Sequence, residues 1–148
     1  MNSVVNFFKY FEEIILLGGS LGALSASIVA IANKKVTRLI TVNGFFGDSD
    51  LGKKVKKTYF LYRLASLIRS DFRKDYNFFK NNLIPEKINI PVSVIYTKTD
   101  DVVKPTQSER FYSKLSLTKN KRLIPLQLKK HNLTGKGDVD KVVSSINI

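Results

Sequence analysis

Residues 14–22 read Ile14-Ile15-Leu16-Leu17-Gly18-Gly19-Ser20-Leu21-Gly22, and with the apolar stretch 23–32 that follows they decide how this chain folds. Four aliphatic residues, a serine set among glycines and then helix-compatible sequence spell strand, tight turn and helix. The pattern G-x-S-x-G has chemical meaning only in that setting. A corner this sharp leaves no room for side chains beside the serine, so glycines let strand and helix approach and the hydroxyl is pushed out above the sheet. By chance the five-residue pattern arises in roughly one chain of this length in twenty at average Gly and Ser usage. The flanking strand and helix therefore carry the reading, more than the spacing does.

The same stretch has a competing interpretation. The 19 residues 14–32 contain no charge and are followed by Lys34, Lys35 and Arg38, which is the length and flank of a single membrane span. Gly18 and Gly22 are even spaced as on a helix-packing face. A buried parallel strand followed by a buried helix has the same hydropathy, and Gly18-Gly19-Ser20 suits a sharp turn better than an unbroken helix. The strand and helix are preferred. A cleaved leader is disfavoured, because Glu12 and Glu13 stand where a positive segment is required.

With 148 residues and 43% apolar content the chain supports a single domain, 1–148, with a real core. Cysteine is absent, which excludes a disulfide scaffold, a thiol nucleophile and a cysteine-ligated metal, and fits a reducing, cytoplasmic setting. No metal and no cofactor are expected. The 25 Lys and Arg against 12 Asp and Glu leave a net charge of +13, which draws proteins toward polyanions. Here the lysines are spread through almost every segment, in a chain also rich in Asn and Ile, and no stacking motif accompanies them. Nucleic acid and membrane are not the expected partners. A non-catalytic basic protein, whether a single-span membrane protein through 14–32 or a polyanion-binding module, is the alternative.

Along the chain, Val4, Val5, Phe7, Phe8 and Phe11 recur at helical spacing after Ser3, predicting an opening amphipathic helix. Strands are expected at 14–17, 36–43, 88–96 and 122–128. Helices are expected at 23–32, 51–69, 71–81, 106–115 and 138–146, the last capped by Gly137 or Asp138. Pro85 ends the helix before it, and Pro91 near a strand start is tolerated where its missing N–H is not needed. Four alternations of strand and helix predict an α/β fold, a parallel sheet of about four strands with flanking helices. The 44–91 stretch contains the predicted helices 51–69 and 71–81. Its Lys53, Lys54, Lys56 and Lys57 read as a solvated face, and its aromatics Tyr59, Phe60, Tyr62, Phe72, Phe78 and Phe79 read as core before they read as an acyl pocket.

In such a sheet reactive groups gather at the carboxyl ends of the strands. Ser20 ends the first strand; Asp100 and Asp101 follow the third in Tyr96-Thr97-Lys98-Thr99-Asp100-Asp101-Val102-Val103; His131, the single histidine, follows the fourth in Lys129-Lys130-His131-Asn132-Leu133. All fall at one edge. Taken singly, Ser20 is a helix cap, Asp100 a turn residue and His131 a loop histidine; their joint placement favours a triad.

The chain order Ser, Asp, His, with each member at a strand's end, resembles the α/β-hydrolase superfamily, the serine esterases and lipases, over essentially the whole chain. The corner 18–22 is similar to that family's nucleophile elbow. Residues 90–103, with Pro105, look like that family's strand and acid loop, in which the aspartate precedes an x-Val-Val run. His131-Asn132-Leu133 looks like its histidine loop, followed by one last helix. The resemblance implies Ser20 as nucleophile, His131 as base, Asp100 as the orienting acid with Asp101 as the fallback, and the Leu21 backbone N–H as an oxyanion donor. It also implies a small acyl ester as substrate and places 44–91 where the family carries a substrate-selecting lid. Full-length members carry further strands before the point where this chain begins, including the loop with a second oxyanion donor. The resemblance thus implies a partial fold, lacking the N-terminal strands. Three outcomes are left open: part of a split or truncated hydrolase, a sheet completed by a second chain, or an inactive remnant.

Overall fold

The computed structural model describes residues 10–47, 81–128 and 137–146, together with Lys74, Asn77, Phe78, His131, Leu133 and Gly135. Four strands alternate with helices in chain order: β1 (Ile14–Gly19), α1 (Leu21–Ala32), β2 (Val36–Val42), β3 (Val92–Thr97), α2 (Pro105–Lys114), β4 (Lys121–Leu126) and α3 (Asp138–Ser145). All three strand pairings are parallel, and the order across the sheet is the order along the chain. This is the α/β architecture expected from the alternation.

Alternating residues along the central strands face opposite helical layers, as the pleat requires. On one face Leu39, Val92 and Val94 pack with Phe111 and Leu115, and Leu16, Ala26, Ala30 and Leu123 complete that layer around α1 and α2. On the other face Ile40, Val42 and Ile95 meet Leu128, Val142 and Ile146 at α3. Both layers are nearly dry: Leu39, Val94 and Ile95 are all 0% exposed. β2 and β3 therefore read as near-continuous apolar runs, the composition of strands buried on both faces.

Residues 14–32 do not form one helix, which corrects the single-span alternative. The chain runs as strand to Gly19, turns at Ser20 with φ 50°, and only then becomes helical. The cause lies at Gly18: a Cβ built there would stand 2.5 Å from the Gly22 carbonyl oxygen and 2.7 Å from the Ala23 Cα, both backbone atoms. That close approach is possible only because the residue has no side chain. Among the described residues no helix is long and apolar enough to cross a membrane.

Element bounds differ from expectation in ways that have local causes. The third strand starts at Val92 and not at residue 88, because Pro85 opens a 3₁₀ turn (Pro85–Lys87) in which the Ile88 N–H is taken by the Pro85 carbonyl at 3.0 Å. Pro91, just outside β3, gives its carbonyl to the Leu39 N–H at 3.0 Å and needs no donor of its own. β2 ends at Val42 because Asn43 turns out of the strand with φ 48°. Pro105 opens α2 at its first turn, where a missing N–H costs nothing. Gly137, at φ 79°, is the cap of α3, and the Asp138 carboxylate accepts the Gly135 N–H at 2.8 Å.

The helices expected at the N-terminus and over 51–69 lie outside the described residues, except that Tyr10 and Phe11 are not helical. Of the stretch 71–81, Lys74, Asn77, Phe78 and Asn81 are helical, and so is Asn82.

Candidate active site

Ser20 occupies the corner between β1 and α1 with φ 50° and ψ −124°, a backbone conformation that costs a residue other than glycine about 1–3 kcal/mol. Its peptide is tied on both sides. The Ser20 N–H donates to the Val42 carbonyl at 3.0 Å, extending the ladder with β2, and the Ser20 carbonyl accepts from the N–H groups of Ala23 (3.1 Å) and Phe45 (2.9 Å). Although it precedes a helix, the side chain makes no capping hydrogen bond. It points elsewhere: Ser20 Oγ lies 2.9 Å from Nε2 of His131.

The other imidazole nitrogen, Nδ1, lies 2.6 Å from Oδ2 of Asp100. The histidine side chain is 7% exposed and the aspartate 2%. The carboxylate accepts a hydrogen bond from Nδ1–H, so that in the neutral ring Nε2 is the nitrogen left to accept from Ser20. Asp100 is itself immobilised, because its second oxygen accepts the N–H groups of Val102 (2.8 Å) and Val103 (3.0 Å). Those bonds are those of a turn residue, so the turn role and the contact with histidine coexist in one side chain. Asp101 is exposed, and the carboxylate that meets the imidazole belongs to Asp100.

The three residues are separated by as many as 111 positions in the chain and still converge at the carboxyl ends of β1, β3 and β4. Leu21 is the first residue of α1, so its N–H is one of the first-turn donors that have no acceptor within the helix. Among the described residues no group of three or more His, Asp or Glu side chains is arranged to hold a metal ion.

One residue at this edge has no role in the sequence reading, which takes it as the last position of the second strand. Asn43 is 4% exposed; its amide donates to the His131 carbonyl at 2.8 Å, and its Oδ1 accepts the Thr97 N–H at 2.8 Å. Its own N–H donates to the Ile95 carbonyl at 2.9 Å. The available signal was the pair Asn43-Gly44 at the end of an apolar strand, a turn marker in which asparagine is favoured at positive φ.

In sequence, no family model and no curated protein matches the chain. In structure the likeness is extensive. A monoacylglycerol lipase from Paleococcus ferrophilus superposes with a TM-score of 0.71 at 14% identity, over 97% of this chain and 70% of the lipase. A soluble variant of monoglyceride lipase from Saccharomyces cerevisiae gives 0.74 at 13% identity, over 98% of this chain and 64% of that one. A Pyrococcus furiosus esterase gives 0.71 at 18% identity, over 98% and 57%. The chain has the α/β-hydrolase fold, in part: nearly all of this chain is matched, and it spans between 57% and 70% of those three structures.

Proposed function

We propose that this chain carries the catalytic residues of a serine hydrolase acting on a small acyl ester. Ser20 is the nucleophile, His131 the base that takes its proton, Asp100 the group that orients the imidazole and stabilises its cation, and the Leu21 N–H an oxyanion donor. The observation that supports this most is the unbroken run of hydrogen-bond distances from hydroxyl to imidazole to carboxylate. Serine is a poor nucleophile at neutral pH, and a histidine within hydrogen-bond reach of it is the group that removes its proton as it attacks. Attack on the acyl carbon forms the Ser20 ester and expels the alcohol, which takes the proton back from His131; water then repeats the sequence and releases the acid.

The oxyanion site and the sheet are completed by a second chain or by further residues pairing with β1. In support, β1 borders the described sheet, Leu17 on it is 60% exposed, and the similar structures are longer. By sequence order 44–91 is the counterpart of the family's lid segment, and the site works in the cytoplasm.

Hydrolysis of a short-chain acyl ester by the purified chain, compared with Ser20→Ala, tests the reading. The expected result is slow turnover that the substitution abolishes, because lacking one oxyanion donor costs about 10²- to 10³-fold. Equal rates in the two proteins would overturn the assignment of Ser20. Fast turnover by the monomer, lost in Ser20→Ala, would keep the nucleophile and overturn the need for a completing segment.

A further inference from the structure

Three backbone segments must hold register for the relay to exist, and one dipeptide touches all of them. The Val42 carbonyl takes the N–H of Ser20. The Asn43 amide reaches the carbonyl of His131, and the Asn43 Oδ1 takes the N–H of Thr97. Thr97 in turn closes the acid turn, since its carbonyl accepts the Asp100 N–H at 3.3 Å. Nucleophile, base and acid are thus all anchored to the end of β2, a strand that contributes none of them.

Asparagine at positive φ has an ordinary explanation: it tolerates the left-handed region better than most residues. Glycine tolerates it better still, so backbone shape alone does not call for a side chain here. What the side chain adds is a donor and an acceptor in one rigid, buried plane, matched to the backbone of His131 and to the last residue of β3. The donor arm fixes the carbonyl of the very residue whose ring must reach Ser20 on one side and Asp100 on the other.

We infer that Asn43 is a positioning residue for the relay, holding the His131 backbone against the acid turn so that both imidazole nitrogens meet their partners. This rests on the proposed serine hydrolase reading, and it concerns how the base is held, separately from whether Ser20 reacts.

Two variants separate this role from a structural one. Asn43→Gly keeps the backbone conformation and the N–H to Ile95 but removes both side-chain bonds. Asn43→Asp keeps the shape and the acceptor for Thr97 while removing the donor to His131. Two readouts are taken on each: the rate at which a fluorophosphonate labels the protein, and the downfield proton resonance of His131 Nδ1. The chain contains a single histidine, so that resonance has one possible source.

In both variants labelling is expected to slow by up to about 10²-fold, the scale of an ångström-level misplacement of a reacting group. The Nδ1 proton is expected to move upfield and exchange faster with water. A folded Asn43→Gly protein that labels at the wild-type rate with its resonance unmoved overturns the inference. If Asn43→Gly does not fold, the same two measurements on Asn43→Asp decide in the same way. Should wild-type Ser20 fail to label, the nucleophile reading falls, while loss of the resonance in the variants still supports the positioning role and its persistence overturns it.

Discussion

β1 and β4 border the described sheet on opposite sides and are made of opposite chemistry. β4 carries Lys121, an exposed Arg122 and Pro125, a charge pattern and a missing N–H that blunt an edge against further pairing. Lys121 is also tied down, donating to the carbonyls of Tyr112 and Leu115 and lying 4.7 Å from the Tyr112 ring centre. β1 carries four aliphatic residues and two glycines with no charge and no proline, and Leu17 on it is 60% exposed. A strand composed in that way is suited to neighbours on both sides. The contrast maps onto the site: the proposed acid and base, Asp100 and His131, sit on the side of the sheet with a finished edge, and the proposed nucleophile, Ser20, sits on the unfinished one.

The comparison breaks most visibly if the finished side does not control the unfinished one. Asp100→Asn should slow phosphonylation of Ser20 on the order of 10⁴-fold, since the amide cannot stabilise the cationic ring and favours the wrong tautomer. Time-resolved intact-mass measurement reads this directly, and a wild-type rate would sever the two halves. Within the corner itself the two motif glycines should differ. Gly18→Ala meets backbone atoms that cannot yield and is expected to cost about 1–3 kcal/mol in urea unfolding. Gly22→Ala, with nothing within 4 Å of the added Cβ and a helical backbone, should be neutral or stabilising by up to about 1 kcal/mol.

The edges themselves can be exchanged. Leu17→Lys should lower self-association in sedimentation velocity with a stability change within about 0.5 kcal/mol, whereas Arg122→Val should raise it. No change from either substitution would mean that edge composition does not govern association. The smallest effect is expected at Tyr96, whose phenol is held above the usual tyrosine range, first by burial and then by the Glu109 carboxylate, to which its hydroxyl donates at 3.3 Å. The fold therefore favours the neutral phenol. That contribution is intact below the usual tyrosine range and is lost as pH rises through and beyond it. Thermal unfolding should fall more shallowly on the alkaline side in Tyr96→Phe than in wild type.

Much of this was legible in residues alone, for identifiable reasons. The corner was readable because glycine at position 18 answers to a single steric demand, and the central strands because burial on both faces leaves only aliphatic residues. The convergence of Ser20, Asp100 and His131 followed from strand ends sharing one edge. Other features were hidden where a residue's role depends on partners far along the chain. Asn43 looks like the last residue of a strand until the His131 carbonyl and the Thr97 N–H arrive beside it. The late start of β3 depended on Pro85 committing the chain to a 3₁₀ turn, which apolar periodicity over 88–91 does not reveal. Residues 14–32 were ambiguous in hydropathy, and the ambiguity is resolved by the pairing of residues 14–19 with β2 and the turn at Ser20, which only the folded sheet displays.

The central claim is that His131, held by Asp100, makes the hydroxyl of Ser20 reactive. The most direct measurement treats wild type and His131→Ala in parallel with a fluorophosphonate and locates the adduct by peptide mass. The account predicts one adduct per wild-type chain, on Ser20, and background labelling in the variant. Equal labelling of the two proteins, or an adduct spread over other serines, would contradict it.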